Sequence, residues 1–504
     1  MSEALSLDSV RQSHPIEVPV RNAPQIAQIF DAISYYKGSS IIRMLSAYLS
    51  DEVFLRGVSD YLRQHAYRTA TASALWSAVS KASGQDVNQI MDSWIKSIGL
   101  PILTVVEESG QLIVRQSRFL LSGDVQPEED ENIWCIPLAF ETESEGRKRS
   151  LMTHKTHAIR AADSTFFKLN KDSVGFFRTN YPPERLSSFG SPASRARLSL
   201  EDKIGLISDA AALATSGHSD TPALLALIEG FGDEDSYLVW NSIITTLNRL
   251  RSIFSDDRVS KGLTAFMLKL VTPAVERIGW IADSRDDLLR GQLRVLLLET
   301  AGLAGHQSTV REALSKFASY TAGDRSAIDP SLRIAVFRIA VQTRGQPAYE
   351  AARREYLTSS TFDGALMALV SMGLVPTNEL ARAHLQFAFD GEVKAQDIHQ
   401  VAGSLAANSE INVEVWKYIK EHWNDLIKLF SGSILVLGRF LRIGLAKYSS
   451  KEMHDDIKDF FAEKDCKGFD RDLATVLDQI ADARAYRQRE SEALENWLEE
   501  NGYL

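Results

Sequence analysis

Beyond the proline pair Pro182-Pro183, the chain runs for roughly 300 residues without a strand-like stretch. Apolar positions recur there at helical spacing, in segments of about 10–18 residues parted by short Gly, Ser, Asp or Pro breaks. Leu200–Thr215, Pro222–Glu229, Ser236–Arg249 and Phe362–Met372 are examples. A run of this kind has no sheet to cover. Each apolar stripe can be buried only against a neighbouring helix, and each helix pair only against the next pair. No strict repeat period is visible. The run still predicts an α-solenoid, an ARM/HEAT-like superhelix, whose concave face suits an extended chain.

Upstream, residues 39–98 predict four short helices. Ile41, Ile42, Leu45, Tyr48 and Leu49 follow helical spacing, as do Phe54, Val58, Tyr61 and Leu62. Ser73 can cap a third helix that stops before Gly84, and Asp86 a fourth that stops before Gly99. At Pro101 the period changes. Ile102–Val106 and Leu112–Val114 flank Ser109-Gly110 as a hairpin, and Asn132–Phe140 with Arg149–Thr153 form a second. Phe166-Phe167 and Gly175–Arg178 add shorter strands. QPEEDEN, residues 126–132, reads as a solvated acidic loop. The fold class is therefore mainly α with a small all-β domain, expected to be a sandwich.

A chain of 504 residues is too long for one core. Its 44% apolar and 24% charged residues are those of an ordinary soluble globular protein. The net charge of −10 argues against nucleic acid or an anionic membrane as the main partner. No apolar run approaches the roughly 20 residues of a membrane span, and the first residues lack the pattern of a signal peptide. The two cysteines, Cys135 and Cys466, lie far apart and suggest no disulfide framework. These features predict a cytoplasmic protein.

Motifs for chemistry are sparse. None of the ten histidines opens an H-E-x-x-H. His154 and His157 are three apart, but near no Cys, Asp or Glu, and read as a polar strand end. Gly217-His218-Ser219-Asp220 are consecutive loop residues and cannot assemble a triad. There is no G-x-S-x-G elbow and no Walker loop, and Gly230-Phe231-Gly232 follows a helix rather than a strand. On these grounds no active site is complete. Tyr35, in ISYYKG, then reads as a packing residue at a helix entrance.

Several long stretches resemble one family. SHPIEVPV (13–20) and IFDAISYYKGSSIIRML (29–45) resemble the segment downstream of the zinc site in M1 zinc aminopeptidases, closest to the puromycin-sensitive branch and its fungal members. DSWIKSIGLPILTV (92–105) resembles the end of that family's catalytic domain. GDVQPEEDENIWCIPLAF (123–140) and VGFFRTNY (174–181) resemble its β domain. LSLEDKIGLISDAAALATSG (198–217) and the stretch from Lys467 to Leu504 resemble the opening and closing helices of its C-terminal domain.

The resemblance implies three parts. Residues 1–98 would be the last helices of a thermolysin-like catalytic domain, 99–184 a β-sandwich, and 185–504 the helical superhelix. It also implies that the family's H-E-x-x-H zinc site and its G-x-M-E-N motif, which grips the substrate's amino group, lie upstream of Met1. Zinc belongs to the parent family, and the chain itself is expected to bind no metal and to be inactive alone.

One catalytic position carries over. Tyr35 matches the tyrosine that donates a hydrogen bond to the oxyanion formed when water attacks a peptide carbonyl, a task suited to a phenol protonated at neutral pH. Phe30 matches an aromatic position that can line the pocket for the first side chain, or be simple core. Tyr36 has no assigned role. Arg439, with Arg442, is a candidate for a peptide's C-terminal carboxylate, or for a solvated helix face. The expected partners are peptides and an N-terminal catalytic half. The alternative is a non-catalytic peptide-binding or scaffold protein derived from the family.

Overall fold

The computed structural model describes residues 1–19, 33–108, 110–143, 146–160, 165–255, 257–283, 286–432 and 434–504. The chain divides into two compact units, Met1–Phe231 and Gly232–Leu504.

The first unit opens with α1 (Ser2–Leu7). A π-helical turn (Ile33–Lys37) runs into α2 (Gly38–Leu49), followed by α3 (Asp51–Gln64), α4 (Ala72–Ser83) and α5 (Val87–Ile95). Helices α3 and α4 approach closely at Gly57, where a Cβ would stand 2.7 Å from the Cα of Val79. The cap of α4 differs from expectation. Thr71, in extended backbone, accepts from the N–H of Ala74, so the helix starts ahead of Ser73. Gly84 ends it in the left-handed conformation. Asp86 caps α5 as expected, accepting from Gln89 N–H at 3.0 Å. Val87, Ile90, Met91, Trp94 and Ile95 form the buried stripe of α5, and Trp94 Nε1 donates to the Cys135 carbonyl (2.9 Å).

Among the described residues, seven strands follow in two sheets. β1 (Leu100–Glu108) and β2 (Gln111–Phe119) form the first hairpin, with Glu108 opposite Gln111. β3 (Ile136–Thr142) and β4 (Gly146–Met152) form the second. β5 (Thr156–Arg160), β6 (Phe167–Leu169) and β7 (Arg178–Asn180) complete sheets ordered β5-β2-β1-β7 and β4-β3-β6. Two details depart from the sequence reading. Gly175–Phe177 is not strand: the chain bends so tightly that a Cβ on Gly175 would lie 2.1 Å from the Phe177 ring. β5 was not foreseen, because it buries only Ile159 and so lacks an apolar alternation.

Helices α6 (Pro183–Ser188), α7 (Pro192–Arg195), α8 (Leu200–Ser216) and α9 (Thr221–Glu229) close the first unit. Charged pairs tie α8 to the strands. Fully buried Asp202 pairs with Lys171 (2.9 Å) and Lys168 (3.4 Å), and Arg178 pairs with Asp209 (3.0 Å).

Among its described residues the second unit carries helices and no strand: α10 (Tyr237–Ile253), α11 (Asp257–Ile278), α12 (Leu288–Leu303), α13 (Gln307–Thr321), α14 (Arg333–Arg344), α15 (Gln346–Thr358), α16 (Phe362–Met372), α17 (Asn378–Phe389), α18 (Ile398–Ala406), α19 (Val413–Glu421), α20 (Trp423–Leu429), α21 (Ile434–Leu445), α22 (Lys451–Ala462) and α23 (Asp470–Glu500). One layer packs in the order α10, α12, α14, α16, α18, α21, α23, each on the next. Polar ties link successive pairs. Tyr320 donates to Glu355 (2.9 Å), Tyr356 to the Glu392 carbonyl (3.3 Å), Asn408 to the Val375 carbonyl (3.1 Å) and Trp416 to Asp456 (2.7 Å). Their partners are separated by 33–40 residues. Helix α23, 31 residues long, packs back on α10 and α11 through Phe254–Tyr486 and Phe266–Trp497 ring contacts. Among the described residues, no helix is long and apolar enough to cross a membrane.

His384 of α17 is fully buried, edge-on to Tyr349 at 5.8 Å. Burial pushes its imidazole down to about 3. In the unfolded chain it titrates at about 6.5. As pH falls through that window the unfolded state takes up the proton first, so stability falls with pH by at most about 1.4 kcal/mol per unit. Urea-unfolding free energies measured across the window should fall less steeply in His384→Leu. An identical slope would assign the acid sensitivity to other groups.

Candidate active site

The site grows from a mismatch in the sequence. Ile33, Lys37, Ile41, Met44 and Leu45 fall on one helical face, since they are spaced by three or four residues. Four of the five are apolar and buried. The fifth is a lysine, and it is buried as completely as its neighbours, with no exposed surface. The turn that carries it is a π-helix, Ile33–Lys37. Such turns close i→i+5 hydrogen bonds and are costly enough to be rare. At the junction with α2, Ser40 Oγ donates to the Tyr36 carbonyl (2.7 Å), and Ser39 Oγ does so at 3.2 Å.

The Lys37 ammonium is held by two carbonyls and one carboxylate. Nζ lies 2.9 Å from Asp8 Oδ2 and donates to the carbonyls of Ser97 (2.9 Å) and Gly99 (3.1 Å). Asp8 is itself fully buried. Its Oδ1 accepts from the Gly99 N–H (3.1 Å) and from the Ser13 hydroxyl. Burial pushes the Lys37 ammonium below the ordinary lysine range, against the pull of Asp8. Gly99 has φ +82°, a conformation that favours glycine. The cluster thus joins three distant segments: the end of α1, the π-turn, and the link from α5 to β1.

Tyr35 stands two residues before Lys37, about half a turn away round the helix. Its ring is 59% exposed while Lys37 is sealed in. The turn therefore offers a phenol to solvent from a backbone that is anchored from behind. Such a group can donate to, or accept from, a bound molecule. Tyr36 beside it is 43% exposed.

The other predicted residues are scattered. Phe30 lies outside the described residues. Arg439 is exposed on α21 in the second unit, where its charge adds to burial in pushing the His399 imidazole down. Arg442 on the same helix pairs with Asp472 at 3.5 Å. His157 contacts the Ser150 hydroxyl at 3.2 Å, within the β domain. Among the described residues, no group of three His, Cys, Asp or Glu side chains comes together as a metal ion would require. The sequence reading missed Lys37 and Asp8. The available signal was a lysine in register with Ile33, Ile41 and Leu45.

Comparison with known proteins agrees in order along the chain. A family model described as "Peptidase family M1 domain" matches residues 1–94, and one described as "ERAP1-like C-terminal domain" matches residues 166–482. "Aminopeptidase 2, mitochondrial" of Saccharomyces cerevisiae is 35% identical over 506 residues, covering 100% of this chain and 53% of the relative. "Alanine/arginine aminopeptidase" of the same yeast is 35% identical, over 100% of this chain and 59% of the relative. "Aminopeptidase M1-D" of Oryza sativa is 30% identical, over 95% and 56%. The chain spans about half the length of the curated relatives it matches.

Lys37→Met leaves the Asp8 carboxylate buried without its cation, a change that costs about 3–5 kcal/mol. Calorimetric melting should show this loss, and Lys37→Met with Asp8→Leu should recover a large part of it. A single variant as stable as the parent would mean that the pair is not structural.

Proposed function

This chain belongs to the M1 aminopeptidase family, and from that premise we propose that it is the C-terminal portion of a zinc aminopeptidase that releases N-terminal residues from peptides. Tyr35 is its catalytic residue. The observation that supports this is the exposed Tyr35 phenol on a π-turn anchored from behind by the buried Lys37–Asp8 pair. A phenol held in this way can donate to the oxygen of a carbonyl under attack, where negative charge develops. A donor that needs no rearrangement stabilises that charge most. The zinc donors of the family would come from a preceding catalytic half, and this chain by itself would hydrolyse no peptide.

In this reading residues 1–98 are catalytic-domain helices, 99–184 a β-sandwich, and 185–504 an ARM/HEAT-like solenoid. The next-but-one packing in the second unit and the recurring ties at 33–40 residues support the solenoid. Arg439 and Phe30 would be peptide contacts, and the compartment the cytoplasm.

The experiment has two parts. An antibody against the helical unit should detect, in a lysate of the source, a species much larger than 56.1 kDa. In that larger protein, Tyr35→Phe should lower kcat by about 10²–10³ with little change in KM, as expected when one oxyanion donor is lost. A single species of 56.1 kDa that binds peptides unaided would favour the scaffold reading instead. Unchanged kcat in Tyr35→Phe would remove the tyrosine from the mechanism.

A further inference from the structure

A second feature of the first unit points to a ligand. Arg43, Ser46, Ala47 and Ser50 are spaced by three or four residues and share one face of α2 and its end. Arg147 and Arg149 are two apart on β4 and so share one face of the strand. The fold brings these two faces together across a cleft of about 580 Å³. That volume lies in the range of small-molecule sites.

The charges in the cleft are unevenly met. Arg147 pairs with Asp172 at 2.7 Å. Arg43 reaches only the carbonyls of Ser173 and Asp172, both at 3.4 Å, and Arg149 only the carbonyl of Tyr48 at 3.2 Å. Neither has a carboxylate partner among the described residues. Asp51, also on the lining, is engaged by the Ser46 hydroxyl at 2.7 Å. Guanidinium groups stay charged at any ordinary pH and match the oxygens of phosphate and carboxylate. In a concavity their field is concentrated.

The backbone is strained at the cleft and beside it. Ser50 has φ +85° and ψ +146°, a region used almost only by glycine, and its side chain makes no cap for α3. Next to the lining residue Val174, Asp172 and Ser173, whose carbonyls hold Arg43, have φ +59° and +45°. Strain of this kind costs about 1–3 kcal/mol per residue and persists where the surrounding structure enforces it, often at ligand sites.

We propose that the cleft between α2 and β4 is an oxyanion site, which takes a small molecule bearing phosphate or carboxylate groups. Arg43 and Arg149 bind its oxygens from opposite walls, and Arg147 divides its charge between Asp172 and the ligand. Ala47 leaves the floor open, and the hydroxyls of Ser46 and Ser50 supply further donors. The proposal does not depend on Tyr35 or on the peptidase reading.

Titration calorimetry of the 504-residue chain with sodium pyrophosphate, and separately with citrate, at ionic strength matched with chloride, tests it. At least one anion should bind with Kd below about 1 mM. Preference between the two identifies the phosphate or the carboxylate as the natural group. Arg149→Gln and Arg43→Gln should each weaken binding by about tenfold or more, as loss of a charge-assisted contact does. Arg311→Gln, on the exposed face of α13, should change nothing. Binding of both anions weaker than about 1 mM, or equal binding by Arg149→Gln and Arg43→Gln, would overturn the proposal.

Discussion

The ion pair between Lys37 and Asp8 is the constraint on which the first unit turns. Two opposite charges with no exposed surface are expensive to bury, and the attraction between them offsets that cost only if every remaining hydrogen-bonding group is met. Here the ammonium donates to two carbonyls and lies 2.9 Å from Asp8 Oδ2, and Asp8 Oδ1 accepts from two further donors. The arrangement fixes where three segments must meet, because the carbonyls of Ser97 and Gly99 and the end of α1 can satisfy Lys37 only in one geometry. An apolar residue at 37 could pack against the same neighbours in several ways. The pair therefore selects one conformation for the π-turn, and with it the direction in which the Tyr35 ring leaves the backbone.

The second unit reaches order by another route. Its helices bury apolar stripes against neighbours on both sides, and polar ties such as Tyr320–Glu355 and Trp416–Asp456 set the offset between successive pairs. These ties differ in chemistry from one pair to the next: a phenol on a carboxylate, an amide on a carbonyl, an indole on a carboxylate. The offset drifts between 33 and 40 residues. Ties that recur at unequal spacings between different residue types leave no period to see in the sequence. The return of α23 onto α10 and α11 is equally invisible there, since Phe266 and Trp497 are 231 residues apart.

What could be read from the sequence was local. Gly84 and Asp86 ended and began helices because a left-handed cap and a side-chain cap are decided within a few residues. The two hairpins were legible from their alternation, and β5 was not, because an edge strand with one buried side chain has none. Thr71 displaced Ser73 as a cap because both residue types serve, and only the backbone decides between them. Tyr35 could be singled out by resemblance, but its exposure could not. Lys37 stood in plain sight in an apolar register, yet its partner lies 29 residues earlier in a segment with no pattern of its own. The cleft of Arg43 and Arg149 shows the same limit. Each half is a regular face of one element, and their meeting is a property of the fold.

These observations bear on how a chain of this kind could serve catalysis. A hydrogen-bond donor is useful to a transition state in proportion to how little it must move when charge appears. Were Tyr35 such a donor, Asp8, Ser97 and Gly99, all within the first unit, would supply that stiffness by holding Lys37 at the end of the same turn. The ring can therefore remain largely exposed and still have a defined origin. Metal donors are a different kind of requirement, since three or more side chains must converge on one point, and the described residues provide no such convergence. The two requirements are separable in physical terms: a single donor needs one anchored turn, whereas a metal needs several side chains converging on one point.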